Sequence, residues 1–246
     1  SFFFAWRNVL FSGAVIVTLA LLRPVPLLGS GRTDFWLDVV GFLIAFAGQA
    51  LRAAVIGFAY IKRGGKDGKV FANRLVTAGF FRHCRNPLYV GNLLVVTGIV
   101  VVHNHPWAYL LLPVAGFGYA AIVAAEEAYL ASRFGEEYAE YCRRVPRWVP
   151  DFRGLRASLE GMEFNWRRVI NKEYTTAYSW LAGMLALFAY QVLIQPAMPH
   201  RAAYLRDLAL VLLVLTLAWA VIRYFKKTER ARERRRLAAA DGTPRG

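Results

Sequence analysis

Long apolar runs alternate with short, strongly basic stretches along this chain. A helix that crosses a bilayer needs about 20 mostly apolar residues, because each residue rises about 1.5 Å across a core of about 30 Å. Six runs meet or approach that length: Val9 to Leu28, Trp36 to Tyr60, Pro87 to Val102, Trp107 to Ala125, Tyr178 to Ile194 and Leu208 to Ile222. Arg23-Pro24 shortens the first, and Gln49 and Arg52 interrupt the second. The third is short but uncharged. Neither strand-like alternation nor an internal repeat stands out. Lipid admits only helices or closed barrels. The pattern therefore predicts an all-α, polytopic membrane helical bundle of about six transmembrane helices. No small-residue cleavage site follows the first run, so it reads as a span and not as a signal peptide.

Charge orients this bundle. The 246 residues are 57% hydrophobic yet carry a net charge of +15, which fits apolar spans joined by basic connections. Seven Lys and Arg fall in 61–86, nine in 127–174 and nine in the tail from Arg223. Only two fall in each of 23–35 and 195–207, and none in 103–106. Rich and poor connections alternate, so the positive-inside bias predicts cytoplasmic N- and C-termini in a multi-pass cell-membrane protein. Four segments follow: two spans in 1–60, a core in 61–150, an interfacial stretch and two further spans in 151–225, and a basic tail in 226–246. The run Arg230 to Arg236 suits anionic lipid headgroups. Nucleic acid is not an expected partner, because no aromatic platform accompanies it. Two cysteines, Cys84 and Cys142, imply no disulfide framework.

Candidate chemistry gathers beside the third and fourth spans. Asn86-Pro87 reads as an N-cap and a first-turn proline. A helix start leaves free N–H groups and partial positive charge, and Arg85 beside it makes an anion site. Tyr89 follows within a turn, and Gly91 would let a ligand or a neighbouring helix approach. Glu126-Glu127 closes the fourth span, where the helix dipole is already negative, so a compensating cation is expected. That cation is either Arg143, Arg144 or Arg147, or a cationic ligand. Only His103-Asn104-His105-Pro106 joins these two spans. The hairpin therefore returns both sites to one face, giving a pocket with an anion wall and a cation wall. S-adenosyl-L-methionine suits it, with its carboxylate, ammonium, sulfonium and adenine. His103 and His105 alone fall short of a metal site, and none is expected. Gly64 to Lys69 lacks the spacing of a phosphate loop and reads as a turn.

These residues resemble a family. Leu75-Val76-Thr77-Ala78-Gly79-Phe80-Phe81, then Arg85-Asn86-Pro87-Leu88-Tyr89-Val90-Gly91, a helical hairpin, Glu126-Glu127, and Arg144-Val145-Pro146-Arg147 are similar to the isoprenylcysteine carboxyl methyltransferases and the related phospholipid N-methyltransferases. The likeness spans 75–150. It departs at Asn86, where the family usually has His, and at Phe81, where it often has Tyr. Asn keeps hydrogen bonding but cannot titrate near neutral pH. The resemblance implies a cytoplasmic-face S-adenosyl-L-methionine site lined by Arg85, Asn86, Pro87, Tyr89, Gly91, Glu126 and Glu127. Tyr138, Tyr141, Arg143, Arg144 and Arg147 would close that site or meet the acceptor. Arg143 and Arg147 would hold a carboxylate acceptor, and Glu127 would take a proton from an amine. The acceptor would be lipophilic and enter from the bilayer. The last two spans would shape that entrance or make a homo-oligomer contact. Two alternatives remain at this stage. Tyr141-Cys142-Arg143-Arg144-Val145-Pro146 echoes NADPH-dependent membrane sterol and ene reductases, and the basic loops alone would suit a lipid-binding scaffold.

Overall fold

A computed structural model describes residues 13, 17–18, 21–24, 31–58, 75–194 and 199–240. Six α-helices lie among these residues: α1 (Gly31–Phe58), α2 (Pro87–His103), α3 (Leu111–Arg144), α4 (Leu155–Leu159), α5 (Trp166–Ile194) and α6 (Arg201–Ala240). Short 3₁₀ turns span Gly79–Arg82 and Pro106–Leu110. The described residues contain no strand, as expected of an all-α chain. Four helices are long and apolar enough to cross a membrane: those over Thr33–Phe58, Pro106–Arg144, Trp166–Ile194 and Arg201–Glu229. Pro87–His103 is a shorter apolar helix between the first two. The expected first span, Val9 to Leu28, lies largely outside the described residues, and so does the glycine-rich turn at 64–69.

The chain divides into two compact units, Ser1–Val169 and Ile170–Gly246. In the first, α1 and α2 pack antiparallel through small residues. A Cβ at Gly48 would stand 2.5 Å from the Gly91 carbonyl oxygen, and one at Gly91 would stand 2.8 Å from that of Gly48. Gly41 and Gly98 meet in the same way one heptad further along, beside Ala45. Helices in lipid gain little from apolar burial against each other, so close backbone approach carries the packing. Polar ties hold both ends of this seam. Asn104, in the left-handed region at φ 52, donates to Asp34 over 3.1 Å. Arg52 Nη1 donates to Asn92 Oδ1 over 2.6 Å. Phe80 and Phe81 then bury against Val55 and place the 3₁₀ turn at the start of α2.

Helix α3 departs from the expected pattern. The fourth span was expected to close at Glu126-Glu127, but the helix continues to Arg144. Ala124-Ala125-Glu126-Glu127-Ala128 and Leu130-Ala131 are strong helix formers, and nothing there breaks the ladder. The glutamate pair is therefore mid-helix, with no negative helix end beside it. The interruption comes at Gly135, with φ 49 and ψ −121, a conformation that a residue without a Cβ adopts cheaply. Beyond it, Tyr138, Tyr141 and Val145 turn inward and pack with Leu130.

In the second unit, α5 from Ile170 pairs antiparallel with α6. Tyr178 and Thr216 share a hydroxyl hydrogen bond of 3.1 Å, and the Tyr178 and Trp219 rings stack at 5.2 Å. Lys226 lies over the Tyr174 ring and donates to the Asn171 carbonyl. The basic tail continues α6 as helix to Ala240.

The glycine seam gives a stability test. Gly48→Leu should lower the thermal midpoint of the detergent-solubilised protein, at a cost of about 1–3 kcal/mol or more from overpacking. Gly116→Ala is the control, since a Cβ there meets nothing within 4 Å, and it should cause no loss.

Candidate functional site

Two short segments lie side by side at the end of the first unit where α2 begins. Arg85 N–H donates to the Pro146 carbonyl and Asp151 N–H to that of His83, both over 2.9 Å. The Asn86 amide donates to the Arg147 carbonyl at 3.2 Å, and the Cys84 thiol to that of Trp148 at 3.4 Å. His83 adds two side-chain bonds, from Nδ1 to the Asp151 carbonyl and between Nε2 and Ser158 Oγ at 2.8 Å. A carbonyl only accepts, so Nδ1 carries the proton. Residues 145–151 thus form a strap bound along 83–86.

The strap carries Arg147 to Glu127. Arg147 Nη2 lies 2.8 Å from Glu127 Oε2, and Arg85 Nη1 lies 3.1 Å from Glu127 Oε1. One carboxylate on α3 thereby joins the approach to α2 and the strap after α3. Arg85 also donates to Cys142 Sγ at 2.9 Å. Burial works against the Arg85 cation, but Glu127, with smaller help from Cys142 and Tyr138, outweighs it and raises its pKa above the ordinary value. Glu126 looks elsewhere and accepts from the Tyr89 hydroxyl over 2.8 Å. The Nε atoms of both Arg85 and Arg147 are buried and find no hydrogen-bond partner among the described residues. Two guanidinium N–H donors beside one ion triad make a site chemically suited to an anionic group.

The expected site residues divide into those that meet here and those that do not. Arg85, Tyr89, Glu126, Glu127, Tyr138 and Arg147 come together. Of the three cations expected to offset the glutamate pair, only Arg147 does so directly, and Arg85 joins it. Arg143 pairs instead with Glu136 at 2.7 Å and with Glu140, on an exposed face, and Arg144 pairs with Glu140 at 3.0 Å. The reason is local, because both partners lie within two turns of the same kinked helix. Asn86 and Pro87 occupy the N-cap and first-turn positions, but the Asn86 side chain makes no cap bond and holds the strap. Gly91 serves the α1/α2 seam, where it faces Gly48 and the Arg52 stem. Tyr141 is buried, with its hydroxyl donating to the Phe81 carbonyl at 2.7 Å.

Other members of this neighbourhood lie outside the expected set of site residues. Besides His83, they are Arg52, Asn92 and Tyr119. Tyr119 of α3 is hydrogen-bonded to Asn92, and its ring centroid lies 5.5 Å from that of Tyr89. Their signal was available: a polar residue inside an apolar run is costly and is a functional candidate by default.

Comparison with known proteins agrees with the resemblance read from the residues. The family described as phospholipid methyltransferase matches residues 37–137. A human protein-S-isoprenylcysteine O-methyltransferase is 32% identical over 137 residues, covering 50% of this chain and 45% of that protein. Protein-S-isoprenylcysteine O-methyltransferase B of Arabidopsis thaliana is 29% identical over 125 residues, covering 48% of this chain and 62% of its own length. The cobalt-zinc-cadmium resistance protein CzcN of Cupriavidus metallidurans is 39% identical over 95 residues, covering 38% of this chain and 41% of that protein. The chain spans about half the length of the isoprenylcysteine methyltransferases of mammals that it matches. No solved structure matches it.

The two thiols provide a check on the strap. Cys84 is 1% exposed and burial pushes its pKa up, whereas Cys142 is partly exposed. At neutral pH, iodoacetamide should modify Cys142 well ahead of Cys84, as read by peptide mass spectrometry. Tyr141→Phe should release the Phe81 carbonyl, at a cost of about 1–3 kcal/mol, and Cys84 labelling should speed up with it.

Proposed function

We propose, from the match of residues 37–137 to the phospholipid methyltransferase family, that this protein is an integral membrane methyltransferase dependent on S-adenosyl-L-methionine. Its acceptor is lipophilic, an isoprenylcysteine-type carboxylate or a related lipid, and enters from the bilayer. The site lies on the cytoplasmic face, where the basic connections fall.

The observation that carries this reading is the Glu127 bridge. Its two guanidiniums keep buried Nε–H donors directed at no described group. A planar fork of this kind suits a carboxylate, so Arg85 and Arg147 would hold the methionine carboxylate of the methyl donor. Both Glu127 oxygens are engaged, so Glu127 is the group that aims the two cations. Glu126, bound by one hydroxyl from Tyr89, is the carboxylate better placed to meet the donor's ammonium. Tyr89 offers an aromatic face on the same wall. Tyr138, buried beside Arg85 and Cys142, closes the site. When bound, S-adenosyl-L-methionine supplies an electrophilic methyl group on a sulfonium.

The chain's own contribution is alignment. Direct displacement needs the nucleophile, the methyl carbon and the leaving sulfur in line, and a fixed geometry removes much of the entropic barrier. A carboxylate acceptor needs no general base. That suits a site in which Glu127 is held as the ion-pair partner of two guanidiniums. Arg143, balanced by Glu136 and Glu140 on the exposed end of α3, sets the charge of that segment. Asn86 holds the strap that carries Arg147.

Titration of the purified protein with S-adenosyl-L-methionine and, separately, with NADPH tests the reading. Micromolar binding of the former is expected, weakened at least about tenfold, or ~1.4 kcal/mol, by Glu127→Gln. Binding of NADPH alone would overturn the proposal in favour of a reductase. Binding of neither would favour a non-enzymatic scaffold.

A further inference from the structure

The strap that carries Arg147 has an outer side as well as the side that lies along 83–86. There Val149 is 79% exposed and Phe152 52% exposed. Among the described residues, they are the two large apolar side chains this open that lie outside both the apolar runs and the candidate spans. The backbone between them is fixed. Asp151 N–H donates to the His83 carbonyl, and the Asp151 carbonyl accepts from His83 Nδ1.

Contacts on the protein side set the depth of this surface. Leu155 N–H donates to the Phe152 carbonyl, and Leu155, Leu159 and Met162 pack on Val55, Phe80 and Phe81. Val55 lies three residues before the end of the candidate span Thr33–Phe58, which is about 4.5 Å along a helix. Phe164 then lies across Gly57, Asn165 N–H donates to the Gly57 carbonyl, and the next candidate span starts at Trp166. Residues 152–166 therefore run past the end of one long apolar helix and into the start of another.

We propose that Val149 and Phe152 insert into the headgroup–acyl boundary of the bilayer, and that this lipid contact seats the strap and with it Arg147 at Glu127. Two observations favour phospholipid over a soluble partner. The depth is that of a span boundary, where apolar and aromatic side chains settle beside a wet backbone. Cations also frame the pair: Arg153 is 94% exposed and Arg156 is exposed, with stems long enough to reach lipid phosphates. The Asp151 carboxylate is already turned to the Arg153 N–H and side chain. The strap is then held on its inner side by 83–86 and on its outer side by lipid. The contact is independent of which cofactor the site takes, so it stands or falls apart from the methyltransferase reading.

The test uses the full chain in phosphatidylcholine nanodiscs. Benzoylphenylalanine in place of Val149 or of Phe152 should, on irradiation, give a chain carrying one phospholipid in the intact-mass spectrum, at one copy per disc and at two. A position that cross-links to a second copy instead, or gives no lipid adduct, would overturn the proposal. Coupling to the strap is read on Cys84, whose thiol donates to the Trp148 carbonyl. Phe152→Asp should speed iodoacetamide labelling of Cys84 at least about fivefold by local opening of the strap, and Phe152→Leu should leave it within about twofold. Unchanged labelling in Phe152→Asp, or labelling equally fast in Phe152→Leu, would overturn the proposal. Should Phe152→Asp not remain monodisperse, Val149→Asp decides by the same readout.

Discussion

A single carboxylate shared by two guanidiniums organises the functional end of this protein. Glu127 stands mid-helix on α3, Arg85 just before α2, and Arg147 on the strap after α3. Each comes from a different part of the chain, and each would be costly alone. Removing one partner from a partly buried ion pair leaves an uncompensated charge, which costs far more than the pair contributes net. The bridge therefore acts less as a source of stability than as a constraint. It is satisfied only when α3 runs unbroken through Glu127, when that helix kinks at Gly135, and when the strap lies along 83–86. The backbone bonds from Arg85 to Pro146 and from Asp151 to His83 supply the last condition.

The elements with strong local signals were legible in the sequence. The apolar runs marked the helices, and Asn86-Pro87 marked the start of α2. Arg85, Tyr89, the glutamate pair and Arg147 were identified as one constellation, which the structure assembles. The errors have a common physical origin. A composition change from apolar to charged marks where lipid ends, not where a helix ends. Ala, Glu, Leu and Arg continue a helix well, so α3 passed the boundary and brought Glu126-Glu127 to its middle. The partner of each arginine was equally hidden. Arg143, Arg144 and Arg147 look alike along the chain, but Arg143 and Arg144 lie on helix within reach of Glu136 and Glu140. Arg147 lies past Val145, where the backbone turns extended and leaves that helix.

The α1/α2 seam shows the same limit in packing terms. Gly41 and Gly48 are seven apart, and so are Gly91 and Gly98. That spacing is readable, but only the antiparallel pairing shows that the two glycine pairs meet each other. Gly91 was open to either a ligand or a helix, and the seam took it. The tightness there fixes the depth of Arg52 on one helix against Asn92 on the other. A packing feature that touches no proposed ligand thus sets where Arg52 meets Asn92.

Asn86 shows how a departure from the family pattern can preserve geometry while changing chemistry. Its amide donates to the Arg147 carbonyl and so helps place the residue that meets Glu127. An imidazole N–H could donate the same bond, which makes the two side chains interchangeable as far as the strap is concerned. They differ in titration. An imidazole beside Arg85 and Arg147 would gain or lose a charge near neutral pH, and a third cation there would compete for Glu127. The amide makes the tie at every physiological pH without adding charge. The site's electrostatics then rest on the two arginines and two glutamates, and the strap's nearest imidazole, His83, faces Asp151 and Ser158 instead.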